Sequence, residues 1–223
     1  MVIYGSGDAA NFNATFLAWI LGGFRHPRVY LLDGGYTKWA AEGRALTRKY
    51  PETEASTYSA DPFALEVSGV EWVRHMVNHE GVVIVDVRPA DQYAGTAGAQ
   101  IRRGHIPGAV NLRETFTYLA TSTPEGLKDL KDTFAAHLGA VGLSGSETAV
   151  FYEDALNGGY GQSCRGYYLL TWLGYPKVKV LNGGFPAWKA AGLPVSTALV
   201  TPSPATFPND LKQADVMLTK EDV

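Results

Sequence analysis

The segment "VKVLNGGFPAWKAAG" (residues 178–192) repeats "VYLLDGGYTKWAAEG" (residues 29–43), with every position shifted by 149 residues. Each copy places a short apolar run before two glycines and a tryptophan five residues after the first glycine. A repeat of this period is a whole domain, because solenoid units are only about 20–50 residues long. The spacing therefore predicts where domains begin and end, and it implies that the first copy is cut through its middle.

The repeat extends beyond this motif and predicts three parts of the chain. Upstream, "VIYG" (residues 2–5) matches "VFYE" (residues 150–153) at an offset of 148. We expect residues 1–55 to be the C-terminal part of a truncated domain, residues 56–205 a complete domain, and residues 206–223 a linker and the start of a further repeat. The tail is too short to complete the head by circular permutation. A natural one-and-a-half-domain protein is the alternative, and it is disfavoured because half a sheet leaves strand edges unpaired.

Composition excludes several classes of function. The 223-residue chain is 46% apolar and has a net charge of −3 without a basic run, which argues against a nucleic-acid or anionic-membrane surface. No uninterrupted apolar stretch approaches the roughly 18 residues of a transmembrane helix. Cys164 is the single cysteine, so a disulfide framework and a cysteine-rich zinc site are ruled out. With no signal peptide before the first apolar strand, the cytoplasm is the default compartment; export stays open because the natural N-terminus can lie upstream.

Strand-like and helix-like patterns alternate through the second part of the chain. Short apolar runs with β-branched residues predict buried strands, at residues 81–88, 105–112, 147–152 and 178–181. Helical spacing predicts helices at residues 69–79, 127–143, 163–173 and 185–192. Such alternation is typical of a doubly wound parallel α/β sheet, whose sites lie at the carboxyl ends of the strands. The expected functional surface is therefore formed by Asp86–Arg88, the 153–164 loop and Asn182–Gly184.

Three motifs together resemble the rhodanese (thiosulfate sulfurtransferase) family: "VDVRPADQYAGT" (85–96), "RRGHIPGAVNL" (102–112) and "VLNGGFPAWKAAGLPV" (180–195). Their order and spacing match across residues 65–200, and the first copy, residues 29–43, matches the same family. The resemblance implies a five-stranded parallel sheet with helices on both faces, in tandem domains of which one is often not catalytic. It also implies that a small anionic sulfur compound, a thiol acceptor and neighbouring rhodanese domains of the same chain are the partners, with no nucleic acid, membrane or cofactor.

In catalytic members of this family a cysteine directly follows the strand that corresponds to residues 147–152. Its thiolate attacks the outer sulfur of thiosulfate, sulfite leaves, and converging backbone amides hold the resulting persulfide, much as an oxyanion hole holds oxygen. This sequence departs from the pattern because Glu153 occupies that position, and Gly5 occupies it in the first copy. The resemblance therefore implies a catalytically degenerate domain.

Cys164 is the candidate catalytic residue if sulfur chemistry occurs in this domain. The start of a helix and the neighbouring Arg165 would both lower the pKa of its thiol and supply thiolate at neutral pH. The alternative is that Cys164 is a small buried apolar residue, as most free cysteines are.

The candidate substrate-binding residues are Arg88, Glu153, Asp154 and Arg165. Arg88 is either an anion contact or half of an internal ion pair, and Asp86 caps the turn at the strand end. Glu153 and Asp154 are expected to make the pocket reject anionic donors. No metal site is predicted, because the histidines lack the spacing of zinc ligands.

Two further functions compete with that of a degenerate partner in a tandem sulfurtransferase. The domain could be a binding or scaffolding module without sulfur chemistry, which would use the 153–164 loop to recognise a partner. Alternatively, it could be an active sulfurtransferase in which Cys164 carries the persulfide.

Overall fold

A computed structural model describes residues 1–6, 12–59, 67–97, 103–112, 124–154, 161–208, 210–211 and 217–218. Its strands are β1 (Val2–Ile3), β2 (Tyr30–Leu32), β3 (Val67–Ser68), β4 (Val82–Asp86), β5 (Val110–Asn111), β6 (Thr148–Tyr152), β7 (Val178–Leu181) and β8 (Met217–Leu218). Its helices are α1 (Phe12–Gly23), α2 (Gly35–Ala41), α3 (Val70–Met76), α4 (Ala90–Tyr93), α5 (Pro124–Ala140), α6 (Gly161–Trp172) and α7 (Gly184–Ala190). Within these residues no helix is both long enough and apolar enough to cross a bilayer.

The larger sheet is a five-stranded parallel sheet in the order β3-β7-β6-β4-β5. Because successive side chains of a strand point to opposite faces, β6 contributes Phe151 to one core and Val150 to the other. The first core lies against α5 and α6, and the second lies against α3 and α7. The expected fold, a parallel α/β sheet with helices on both faces, is confirmed. The two-residue strand β3 is too short to leave a periodic pattern, and it supplies the fifth strand.

The smaller sheet, β1-β2-β8, reproduces part of the larger one. Val2 pairs with Tyr30 as Val150 pairs with Lys179, which preserves the offsets of 148 and 149 residues seen in the sequence. Backbone bonds repeat as well: the N–H of Tyr36 donates to the C=O of Gly5, as the N–H of Phe185 donates to the C=O of Glu153. The first copy therefore has the local backbone geometry of the second.

The tail contributes one strand to the smaller sheet. Strand β8 pairs in parallel with β2, Leu31 with Met217, in the position that β3 occupies beside β7. A short strand needs only a free sheet edge on which to pair, so the tail can pair with the head although it is too short to complete it. The tail adds one strand to the head, and positions equivalent to β4 and β5 stay unfilled by described residues.

Glycine conformation sets the turn into the last helix of each copy. Gly34 and Gly183 have φ angles of 69° and 75°, in the left-handed region that a side chain disfavours. A Cβ on Gly183 would lie 2.4 Å from the Cβ of Ala187, so the turn requires glycine on steric grounds too. Trp188 then anchors α7 by donating its Nε1–H to the C=O of Pro194 at 2.7 Å.

Helices α1 and α6 pack against each other and bring the two sheets into contact. Both contain 12 residues, and they start at positions that are equivalent in the repeat. Ala14 and Ala18 of α1 pack against Ile3 and Leu31 of the smaller sheet and against Tyr168 of α6. The small alanine side chains let the two helices approach closely, so the first copy of the motif is attached to the second through an apolar interface.

Candidate functional site

A buried ion pair lies at the carboxyl end of β4. Asp86 is buried, its Oδ1 accepts the backbone N–H of Arg88 at 2.9 Å, and its Oδ2 accepts Nη2 of Arg88 at 2.6 Å. The predicted turn-capping role of Asp86 is confirmed by the first contact. The same Nη2 also donates to the C=O of Gly104 at 2.7 Å. Although burial opposes charge, the hydrogen bond and attraction to Asp86 raise the pKa of Arg88, so its guanidinium stays charged.

Tyr152 connects the ends of β4 and β6. Its hydroxyl donates to Oδ2 of Asp86 at 2.7 Å and accepts the backbone N–H of Ile106 at 3.1 Å. Complete burial and the nearby Asp86 carboxylate raise the pKa of this phenol well above its usual value. Tyr152 therefore acts as a hydrogen-bond donor that helps to compensate the buried Asp86.

The aromatic ring of Phe185, the second residue of α7, packs against this ion pair. Its ring centroid lies 4.0 Å from Cζ of Arg88 and 4.8 Å from Nζ of Lys189. Each cation is attracted to the ring, because the π-face carries partial negative charge. Arg88 is thus held by a carboxylate, a carbonyl and a ring, which places it in an internal ion pair.

Glu153 follows β6 and turns back onto the start of α6. It is 9% exposed, and its Oε1 accepts the backbone N–H of Ser163 at 2.9 Å. Burial raises the pKa of Glu153 to about 7, and contacts with the backbone amides of Ser163 and Gln162 only partly oppose this rise. The carboxyl group is therefore close to half-ionised at neutral pH. It lies at the N-terminus of α6, where amide N–H groups favour an anion.

Asp154 makes a second contact with Arg88. Its Oδ2 lies 3.6 Å from Nη1 of Arg88, a long contact compared with the Asp86 bonds. Its Oδ1 is buried without a hydrogen-bond partner among the described residues. Residues 155–160 of the predicted 153–164 loop lie outside the described residues.

Cys164 lies on α6 but in an apolar setting. Its side chain is 0% exposed and packs with Trp19 of α1 and Val180 of β7. Burial, and then the nearby Glu153 carboxyl group, raise the pKa of this thiol. The expectation that the helix start and Arg165 would lower this pKa is wrong, because burial against α1 and β7 and the nearby Glu153 carboxyl group both favour the neutral thiol. Arg165 is itself buried at 1% exposure.

The profile of the rhodanese-like domain matches residues 69–191, more than half of the chain. The chain belongs to the rhodanese-like domain family. A thiosulfate sulfurtransferase of Azotobacter vinelandii is 26% identical over 170 residues, 76% of this chain and 60% of the relative. A thiosulfate sulfurtransferase of Gallus gallus is 27% identical over 84% of this chain and 63% of the relative. The chain thus spans only about three-fifths of these two relatives. The sulfur carrier protein TtuD of Thermus thermophilus is 28% identical over 88% of this chain and 70% of that protein.

Solved structures are similar in fold. A structure of an EanB variant with hercynine superposes with a TM-score of 0.70 at 21% identity, and covers 89% of this chain and 51% of that one. The crystal structure of YnjE gives a TM-score of 0.65 at 19% identity, over 92% of this chain and 49% of that one. At these identities the likeness concerns the rhodanese-like fold alone.

The structure brings Arg88, Glu153 and Asp154 to one end of the rhodanese-like sheet, and it adds residues that sequence reasoning missed. Tyr152, Phe185 and Ser163 contact the predicted residues directly. The repeat held a signal for two of them, since Tyr152 and Phe185 match Tyr4 and Tyr36, aromatic in both copies. No sequence signal identifies Ser163, because it contributes a backbone N–H.

His105 has a structural role at the turn before β5. Its backbone N–H donates to the C=O of Ser196 at 2.8 Å, and its ring stacks on Tyr93 with centroids 3.8 Å apart. Gly108 follows with a φ angle of 78°, as a turn of this type requires. Within the described part of the chain, no group of three or more His, Cys, Asp or Glu side chains could hold a metal ion.

Proposed function

We propose that this chain is part of a tandem rhodanese-family sulfurtransferase and that its complete domain is catalytically degenerate. The observation that carries the proposal is the hydrogen bond from the Ser163 N–H to the Glu153 carboxyl group, immediately after β6. This carboxylate occupies the position after β6 at which the family resemblance places the catalytic cysteine. A carboxylate oxygen cannot store sulfane sulfur as a persulfide, so this end of the sheet lacks the required nucleophile.

Charge supports the same proposal. A carboxylate about 4 Å from an oxygen of thiosulfate costs roughly 4 kcal/mol at an effective dielectric of about 20, equivalent to about a thousandfold in affinity. Because the pKa of Glu153 is about 7, this repulsion is largest above neutral pH and falls as the group gains a proton. Thiosulfate binding, where it is measurable, should therefore strengthen as the pH falls below 7.

The direct test is mass spectrometry of the intact chain after treatment with thiosulfate. We expect no mass gain, because the Cys164 thiol is buried and has a raised pKa. A gain of one sulfur atom that disappears in Cys164→Ala would overturn the proposal in favour of the alternative in which Cys164 carries the persulfide. Absence of sulfur transfer together with specific capture of a protein partner would instead favour the binding-module alternative.

A gain-of-function variant tests the position itself. In a Cys164→Ala background, Glu153→Cys places a thiol directly after β6, beside the Ser163 N–H. We expect thiosulfate to load one sulfur on the introduced thiol and cyanide to remove it as thiocyanate. The matched control is Glu153→Ser in the same background, which also removes the carboxylate but offers no thiol. Equal inactivity of both variants would show that more than the missing thiol prevents transfer.

The domain organisation is part of the proposal. Residues 56–205 form the complete domain, residues 1–55 the C-terminal part of a truncated one, and residues 206–223 a linker and the start of a further repeat. Expression of residues 56–205 alone tests these limits. A cooperative unfolding transition would support them. Failure to fold would show that residues outside these limits are required, either α1, which covers Cys164 and Val180, or Phe207, which stacks on Tyr175 in the core.

A further inference from the structure

In the part of the chain that the structure describes, one edge of the smaller sheet has no partner strand and one of its faces is only partly covered. In the complete domain, β6 lies between β7 and β4, whereas its counterpart β1 pairs only with β2 among the described residues. Alternate residues of a strand direct their backbone groups to opposite sides. In β6 the C=O of Tyr152 accepts the N–H of Val87, beyond the end of β4, at 3.1 Å. The backbone of its counterpart Tyr4 faces the edge where no described strand lies.

An apolar groove lies beside this edge. It has a volume of about 320 Å³, and its lining includes Val2, Tyr4, Leu32, Tyr36, Trp39 and Leu46. Helix α2 borders the groove, while α1 packs on the other face of the same sheet. The groove is therefore the face on which the complete domain carries both α7 and α3.

The same positions are covered in the complete domain. The equivalents of the first five lining residues form the core beneath α3 and α7: Val150, Tyr152, Leu181, Phe185 and Trp188. Tyr4 is 61% exposed where Tyr152 is 0% exposed, and Tyr36 is 45% exposed where Phe185 is 1% exposed. Val73, Ile84 and Ile106 provide the cover in the complete domain. The two faces thus have nearly the same side chains and differ in what lies on them.

We propose that this groove and the β1 edge form a docking surface for a polypeptide with the chemistry of residues 67–112. Such a partner adds an apolar strand parallel to β1 and lays a short amphipathic helix across Tyr36 and Trp39, a form of strand addition to an open edge. The inference rests on the tandem organisation proposed above, and it identifies the surface that the remainder of the proposed first domain would cover.

The complete domain also specifies the polar chemistry of the occupant. The Tyr152 hydroxyl donates to Asp86, and the Phe185 ring packs against the guanidinium of Arg88. Tyr4 and Tyr36 offer a hydroxyl and a ring at the equivalent places. The occupant therefore carries an Asp-X-Arg sequence at the carboxyl end of its strand, so that the acid meets Tyr4 and the arginine meets Tyr36.

A second copy of this chain fits the groove less well. Two copies that met through the same β1 edge would be related by a twofold axis, and their edge strands would then pair antiparallel. Every ladder in both sheets is parallel. A dimer is therefore an outcome that would count against the proposal.

The test joins residues 67–112 of this chain, through a flexible Gly/Ser linker, either ahead of Met1 or after Val223. Linkage provides a millimolar effective concentration, so weak docking becomes measurable. Hydrogen exchange is followed at the amides of Val2 and Tyr4. We expect exchange to slow at least tenfold in one of the two fusions, and the productive attachment shows from which side the occupant reaches the groove.

Matched controls separate docking from general effects. The control segment carries Ile84→Lys and Ile106→Lys in the appended copy only, and it should give no protection. Tyr36→Lys in the groove should abolish protection in the productive fusion, whereas Leu199→Lys, at an exposed site outside the groove, should not. Protected amides in β4 of the complete domain confirm in each protein that the rest of the chain is folded.

Three results would overturn the inference. The first is rapid exchange at Val2 and Tyr4 in both fusions, and the second is equal protection by the control segment. The third is protection without any appended segment, accompanied by a dimer in sedimentation. None of these results bears on sulfur loading of Cys164 or on the folding of residues 56–205, so failure of the groove and failure of the proposed function are distinguishable.

Discussion

Strand β6 has a glutamate at each end, Glu147 just before Thr148 and Glu153 just after Tyr152. Glu147 is partly exposed, and its pKa is lowered to about 2, because hydrogen bonds from Ser144 and Ser146 outweigh the opposing effect of burial. At Glu153 burial prevails instead, and the pKa is raised to about 7. One residue type on one strand thus has opposite properties, determined by how many donors reach it and how much water is removed.

The two ends of the sheet differ in how many charged groups they bury. At the Glu147 end, the N–H of Ser144 and the hydroxyls of Ser144 and Ser146 bind the carboxylate at 2.6–2.9 Å in an exposed turn. At the Glu153 end, the buried groups Asp86 and Arg88 add further charge. Desolvated ionisable groups with shifted pKa values are typical of functional sites. In open α/β sheets such sites lie at the carboxyl ends of the strands, which is where Glu153 lies.

The largest expected effect comes from breaking the buried ion pair. Arg88→Met leaves the Asp86 carboxylate buried with only its remaining donors, and we expect a loss of about 3–5 kcal/mol in the free energy of unfolding. The matched control is Arg74→Met, which removes an exposed pair with Glu71 at 2.9 Å and should cost less than about 1 kcal/mol. Urea denaturation measures both. Equal losses would show that burial of the charge contributes nothing.

The second prediction concerns Glu153→Gln, which keeps an oxygen to accept the Ser163 N–H. The pKa of Glu153 in the folded protein, about 7, exceeds the ordinary 4.5, so protonation of this group favours the folded state. This contribution to stability is fully present below about pH 4.5 and is lost as the pH rises through 7. The wild type should therefore lose up to roughly 3 kcal/mol relative to the variant between pH 4.5 and 8. Urea denaturation at several pH values gives this difference, and a constant difference across the range would contradict it.

Much of the fold could be predicted from the sequence, because the responsible signals are local. The Gly183 turn and the Trp188 anchor follow from a motif that is present twice, and the four predicted strands follow from continuous apolar runs. Strand β3 could not be predicted from periodicity, since Val67–Ser68 is stabilised by its neighbour β7 and not by its own pattern.

The site was less accessible to sequence reasoning, because its properties arise from distant contacts. The position of Glu153 after the strand could be read directly, but its burial depends on how α6 begins at Gly161. The pKa of Cys164 was expected to fall on the basis of adjacent residues. It rises because Trp19, on a helix from the other copy, and Val180 remove water from the thiol.

The smallest expected effect is at Glu147, before β6, and its pH dependence has the opposite sign to that at Glu153. The folded pKa of Glu147 is about 2, below the ordinary 4.5, so its stabilising contribution is present above pH 4.5 and is lost as the pH falls toward 2. Glu147→Gln should therefore destabilise the protein by about 1 kcal/mol at pH 7, a modest amount because the group is partly exposed. The difference should vanish near pH 2. Glu71→Gln, at an exposed carboxylate paired with Arg74, is the matched control and should have little effect at either pH. Urea denaturation measures both variants at pH 7 and the Glu147 variant near pH 2. If Glu147→Gln lowered the free energy of unfolding equally in acid, the effect would come from the shape of the turn and not from the carboxylate charge. The electrostatic contrast between Glu147 and Glu153 would then be lost.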